Sequence, residues 1–207
     1  MMKVLICKIF RIRLMEMKKL LVTVLLALLF GAVSAQNEHL NFKGVPIDGC
    51  SKDFVKNIQS KGFEIVRNSE GLLSLRGVFC GKPNCIVIVN TLEEEDVVSA
   101  VNVLFERENT WHALSNNYDT LKNMLTEKYG DPVEVKESFV NLYSEEDFLK
   151  ITRLQANDCE WRSVFETGVG QIVLSIVYNL EYGSHVKLEY RDRINGMKSR
   201  AAAIEDL

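Results

Sequence analysis

The chain is short of most of the residues and patterns that mark specific chemistry. It has three histidines, His39, His112 and His185, and they are scattered. None has a second ligand at the spacing of a zinc-peptidase H-E-x-x-H motif. Cys80 and Cys85 are too far apart for the C-x-x-C of a thiol redox enzyme. Gly168-Val169-Gly170 leads into a strand pattern rather than a helix, so it does not cradle a nucleotide phosphate. No nucleophile elbow is present. Glu93-Glu94-Glu95-Asp96 concentrates carboxylates, but without the spacing and the glycine of a calcium loop, and reads as a solvated turn. These absences imply neither a metal nor a cofactor. The longest apolar run, residues 20–30, is about half the roughly 20 residues of a membrane-spanning helix.

That run has another reading. A basic start, Met17-Lys18-Lys19, precedes it, and Gly31-Ala32-Val33-Ser34-Ala35 follows with small residues at the −3 and −1 positions. This is the pattern of a secretory signal peptide, residues 1–35, with cleavage expected after Ala35. Residues 1–16 are either the product of a start codon called too early, with Met17 the initiator, or an extended basic leader. The absence of Cys after the run argues against a lipid anchor there. Removing 1–35 takes away Lys3, Lys8, Arg11, Arg13, Lys18, Lys19 and Glu16, which moves the formal charge from −3 to −8. Such a chain lacks the basic face that nucleic acid requires and is repelled by anionic lipid surfaces. The expected location is periplasmic or extracellular, without a transmembrane segment in the mature chain.

Four cysteines remain after processing: Cys50, Cys80, Cys85 and Cys159. An even number in an exported chain favours disulfides, and four allow three connectivities. Cys80 and Cys85 flank Gly81-Lys82-Pro83-Asn84, a turn tetrapeptide between two apolar runs, and residues facing across a hairpin are within disulfide reach. The favoured set is Cys80–Cys85, with Cys50–Cys159 by elimination. The rival role for Cys50 is as a nucleophile, with His112 or His185 as its base.

Periodicity divides 36–195 into alternating helix and strand regions. Phe54, Val55 and Ile58 share one face of a helix expected over 51–61, with Ser51 as cap and Gly62 as stop. Extended runs follow at 63–66, 72–79, 86–89 and 97–105, the last with Val97, Val101, Val103 and Phe105 on one side. Trp111, Leu114, Tyr118, Leu121, Leu125 and Lys128 form the clearest helical stripe, with Thr110 to cap it and Gly130 and Pro132 to end it. Residues 131–158 read equally as helix or strand. Three strands follow at 160–166, 172–178 and 186–191, then a polar tail over 196–207. The fold class is α+β. The repeated order, and the likeness of "VKNIQSKGF" to "LKNMLTEKYG", predict two tandem units, 36–107 and 108–195, each a helix packed on an antiparallel sheet.

The stretches "HLNFKGVPIDG", "KGF" after the first helix, "WHALSNNYDTLKNMLTEKYGDP" and "VKLEYRDRIN" resemble a family of small secreted Bacteroidetes proteins of unknown function. The element order is similar to the β-lactamase-inhibitor-protein-like fold. The resemblance implies fold and export, and no functional residues. Function is then expected to be a non-enzymatic binding module for an unknown protein or small ligand. Its candidate surface is the uncovered sheet face, with Trp161, Tyr178, Tyr182 and Tyr190 as anchors. The alternatives are an envelope enzyme with a site of no known motif, or a structural envelope component. The stretch Gly44-Val45-Pro46-Ile47-Asp48-Gly49 reads as a turn delivering the chain into the first helix.

Overall fold

A computed structural model describes residues 39–69, 72–92, 95–140 and 146–205. The expected signal peptide and cleavage point, the residues Glu93 and Glu94, and the expected helix start at Ser144 and Glu145 lie outside these. His39–Leu207 is one compact unit.

The described chain opens with a small hairpin, β1 (Asn41–Phe42) and β2 (Val45–Pro46), turned through Lys43-Gly44. Both turn residues have positive φ, 53° and 78°, the two-residue type I′ geometry that matches strand twist. The chain then enters α1 (Ser51–Gln59), which buries Phe54, Val55 and Ile58. The cap position is Cys50, one residue before the expected Ser51, and Gly62 at φ 91° turns the chain away. Four strands follow: β3 (Glu64–Ser69), β4 (Leu72–Phe79), β5 (Lys82–Thr91) and β6 (Val98–Leu104).

The longest helix among the described residues, α2 (Trp111–Tyr129), buries the expected stripe from Trp111 to Leu125. Thr110 accepts a hydrogen bond from the Ala113 N–H at 3.2 Å, as its position predicts. The ambiguous stretch contains both kinds of element, β7 (Glu134–Phe139) and α3 (Asp147–Gln155). Asp147 serves α2 instead of capping its own helix. Its two carboxylate oxygens accept from the Trp111 and His112 N–H groups at 2.9 and 2.8 Å, where the positive end of the α2 dipole favours an anion. Then come β8 (Cys159–Thr167), β9 (Gly170–Asn179), β10 (Gly183–Asp192) and α4 (Arg193–Glu205). The polar tail is thus mostly helix.

The larger sheet has eight strands in the order β3-β4-β5-β6-β10-β9-β8-β7, and every neighbouring pair is antiparallel. The α+β class is therefore as expected. In the chain, a helix precedes four strands in each half, with α3 interposed between β7 and β8 of the second, and the last strand of each set, β6 and β10, pair at the sheet centre. α1 and α2 contribute to a single hydrophobic core, with Ile172, Leu174 and Ile176 of β9 and Val186, Leu188 and Tyr190 of β10 beneath them. A register shift at Asn90/Thr91 changes the alternation of β6, so Val98 is buried along with Val101 and Val103, and Val97 is only half-buried.

The expected disulfides are absent: Cys50, Cys80, Cys85 and Cys159 are all free thiols. Turn geometry explains the first pair. The β4–β5 hairpin closes with Phe79 opposite Lys82, so its loop is Cys80-Gly81, a second turn with two positive φ values (50° and 74°). The last three residues of the tetrapeptide expected as the turn, Lys82-Pro83-Asn84, lie in β5, and Cys85 faces Gly77 instead of Cys80. Cys85 is buried, its Sγ 3.4 Å from the Lys82 carbonyl, while Cys80 is exposed. Cys50 bridges to Val97 before β6, whereas Cys159 opposes Phe139 near the other edge of the sheet.

Candidate functional site

The four aromatic side chains expected on the uncovered sheet face are not there: Trp161, Tyr178 and Tyr190 pack into or against the core on the helix side, and Tyr182 lies in a turn. Trp161 is half-buried and packs edge-on against Trp111, with ring centroids 4.9 Å apart, beneath α2. Tyr178 is half-buried against the hydrophobic core. Tyr190 is 7 % exposed and belongs to that core. Tyr182 sits in the β9–β10 turn, its N–H donating to Asn179 Oδ1 at 2.6 Å and its ring 6.2 Å from His185.

The histidines do not assemble a nucleophile either. His112 Nε2 lies 3.2 Å from Asn116 Nδ2, and the buried His185 holds the Gly183 carbonyl at 2.9 Å through Nδ1. His39 lies between Asp192 and Asp48. Cys50 Sγ is 3.2 Å from Asp53 Oδ2, a carboxylate rather than an imidazole. Among the described residues, no group of three or more His, Cys, Asp or Glu is placed to hold a metal, and no helix is long and apolar enough to cross a membrane.

Tyr190 leads instead to a cleft of about 880 Å³ on the helix side of the sheet, within the range of roughly 300–1,000 Å³ of small-molecule sites. One wall is the last two turns of α2, where Leu121, Met124, Leu125, Lys128 and Tyr129 recur at helical spacing. The facing wall is made by the two type I′ hairpin tips, Lys43-Gly44 and Phe79-Cys80. Leu188 and Tyr190 come from β10. Leu40, with Thr167 and Val169 from the β8–β9 turn, completes the lining. Leu40, Phe79, Leu121, Leu125, Leu188 and Tyr190 are all below 8 % exposed, while Met124 at the rim is 46 % exposed.

Charge is distributed unevenly around this cleft. The chain has more acidic than basic residues, yet the described lining contains Lys43 and Lys128 and no carboxylate. Each ammonium is held near an aromatic wall: Lys43 Nζ is 5.9 Å from the Phe79 ring centroid, and Lys128 Nζ is 4.9 Å from that of Tyr129. Cys80 is exposed at the surface, yet the surrounding cleft desolvates its thiol enough to push the pKa up, and Lys43 and Lys128 pull it part of the way back. Burial, reinforced by Tyr129 and Cys80, raises that of Tyr190 as well. At neutral pH both groups are protonated, so the lysines provide the only formal charges of the lining.

The helical stripe read from the sequence contains Leu121, Leu125 and Lys128, and the turns that carry them form one side of the cleft, with Met124 beside the stripe. The facing residues come from distant parts of the chain. No protein-family model, curated protein sequence or solved structure matches the chain.

Proposed function

We propose that the protein is an exported, non-enzymatic binding module, and that it takes a small ligand with an apolar body into the cleft beside α2. The observation carrying this reading is the cleft itself: a cavity of about 880 Å³ with buried aliphatic and aromatic walls, open at a rim that bears cations. Cavities of this kind, apolar with few polar groups, are the usual small-molecule sites. The binding surface thus moves from the outer sheet face to the helix side. The lining thiol favours binding over nucleophilic chemistry, since burial raises its pKa where an activated cysteine needs it lowered. The leader sequence at 1–35 supports export.

The repeated helix-plus-four-strand order supports a tandem origin with halves 36–107 and 108–195. The two sets of strands meet at β6 and β10 with mirrored order, as a duplicated unit joined along its last strand would. This accords with the β-lactamase-inhibitor-protein-like arrangement and the secreted Bacteroidetes family that the sequence resembles. It supplies no ligand, because a fold does not fix a function.

The neutral dye N-phenyl-1-naphthylamine, which fluoresces when it leaves water, tests the cleft. Titration into wild type produces saturable fluorescence. Met124→Trp, which fills the rim from a half-exposed position, lowers affinity at least about tenfold, equivalent to about 1.4 kcal/mol. No uptake by wild type, or equal uptake by a folded Met124→Trp, sinks the proposal.

A further inference from the structure

The two rim lysines specify the ligand more closely, given that the cleft binds a ligand at all. Lys43 is at the tip of the β1–β2 hairpin and Lys128 is on the last turn of α2, and both line the same cleft. Their ammonium groups lie 5.9 Å and 4.9 Å from the Phe79 and Tyr129 rings that line it with them, and both act on the thiol of Cys80 in the same lining. The walls beyond them are hydrocarbon: Leu121, Leu125, Leu188 and the Phe79 ring, each nearly inaccessible to solvent. A ligand complementary to this gradient has one anionic end and a long apolar body. An uncharged hydrocarbon would leave the lysines unused, and a cationic amphiphile would meet like charge.

We propose that the ligand is a free long-chain monocarboxylate, with its chain along α2 and its carboxylate between Lys43 and Lys128. Lysine ammonium groups suit this task, because each can donate to a carboxylate while its stem lies along the apolar wall. Residues of α2, the hairpin tips and β10 line the cleft, so a single chain taken from solution would contact all three. A lipid still embedded in a bilayer would bring an anionic surface towards a chain of net negative charge.

Competition against N-phenyl-1-naphthylamine tests this on the whole processed chain. Dodecanoate, dodecanol and dodecyltrimethylammonium are compared, each below its micelle concentration, alongside phosphatidylglycerol vesicles. Dodecanoate displaces the dye at least about tenfold more strongly than the other two amphiphiles, and it weakens about fourfold per methylene removed. The double variant Lys43→Ala/Lys128→Ala loses the preference for carboxylate and keeps its affinity for dodecanol. Lys43→Glu/Lys128→Glu prefers the ammonium. If dodecanol matches dodecanoate, or the alanine variant keeps the preference, the carboxylate assignment is overturned and the apolar cleft stands. If vesicles compete and the monomeric acid does not, the ligand is a membrane lipid and the assignment is again overturned. If no amphiphile displaces the dye and Met124→Trp binds it normally, the cleft reading itself fails.

Discussion

His39 Nδ1 lies 3.0 Å from Asp192 Oδ1, joining the first described residue to the end of the last strand. Asp192 is buried, and its carboxylate also accepts the Leu40 N–H at 2.8 Å and the Asn195 N–H at 2.9 Å. Asn195, itself buried, donates through Nδ2 to the carbonyls of Ile47 and Val98. One polar cluster thus connects the N-terminal hairpin, β6, β10 and the start of α4, and it keeps Leu40 against the cleft. Asp192→Ala leaves the Leu40 and Asn195 N–H groups without their acceptor in a dry setting. The expected loss of unfolding free energy in urea is about 3 kcal/mol. A loss within about 0.5 kcal/mol, typical of a surface substitution, would contradict the role given to this cluster.

Gly170 opens β9 where no side chain fits. A Cβ there would run into the Arg191 carbonyl oxygen, a backbone atom that cannot move without disturbing the β9–β10 ladder. Gly170→Ala is expected to cost about 1–3 kcal/mol, as other overpacked sites do. Gly168→Ala, with nothing within 4 Å of the added atom, serves as the control and should cost less. Thermal melts of both that coincide with wild type would refute the close approach.

The thiols should differ in reactivity with a maleimide. Cys80 is exposed and labels first, Cys50 and Cys159 are half-buried and label more slowly, and Cys85 labels only on unfolding. Burial raises the Cys85 pKa to about 11 and that of Cys159 to about 12, which further suppresses their thiolates. Intact-mass measurement without reductant reads the outcome. A mass lower by two hydrogen atoms per bond, with Cys80 and Cys85 protected together, would restore the disulfide and overturn the hairpin register.

Stability should fall on mild acidification. His185 is buried, and burial lowers its pKa below the ordinary 6.5, outweighing the hydrogen bond to the Gly183 carbonyl. Between the folded pKa and 6.5 the unfolded chain therefore binds a proton that the native chain refuses. The sign follows: unfolding free energy rises with pH across that window and is lost as pH falls below about 6.5. Urea midpoints from pH 7.5 to 5 for wild type and His185→Phe check this. The variant should show a flatter profile in that window, and an unchanged slope would remove His185 as the cause.

What the sequence made legible was local. The α2 stripe, the Thr110 cap and the Gly130 stop depend on neighbours three or four residues away, and all three occur in the structure. The Cys80–Cys85 pairing was misjudged because register depends on which two residues adopt positive φ. Cys80 itself does so, although it is not glycine. The side on which Val97 and Val98 point was misread for a similar reason, a bulge leaving no mark in the hydrophobic alternation. Asp147 does begin its own helix, but it also caps one 35 residues earlier, a contact no local pattern encodes. The cleft was illegible for the same reason: Lys43, Phe79, Lys128, Val169 and Tyr190 meet only after the sheet has assembled.

Photo-crosslinking with a dodecanoate analogue carrying a diazirine on its chain tests the central claim most directly, because it reports where the ligand sits. The account predicts adducts on Met124, Leu125 and Tyr190, competed away by dodecanoate and reduced in Met124→Trp. Adducts concentrated on Lys187 or Arg191 of β10, whose side chains point to the opposite face of the strand from Tyr190, would contradict it.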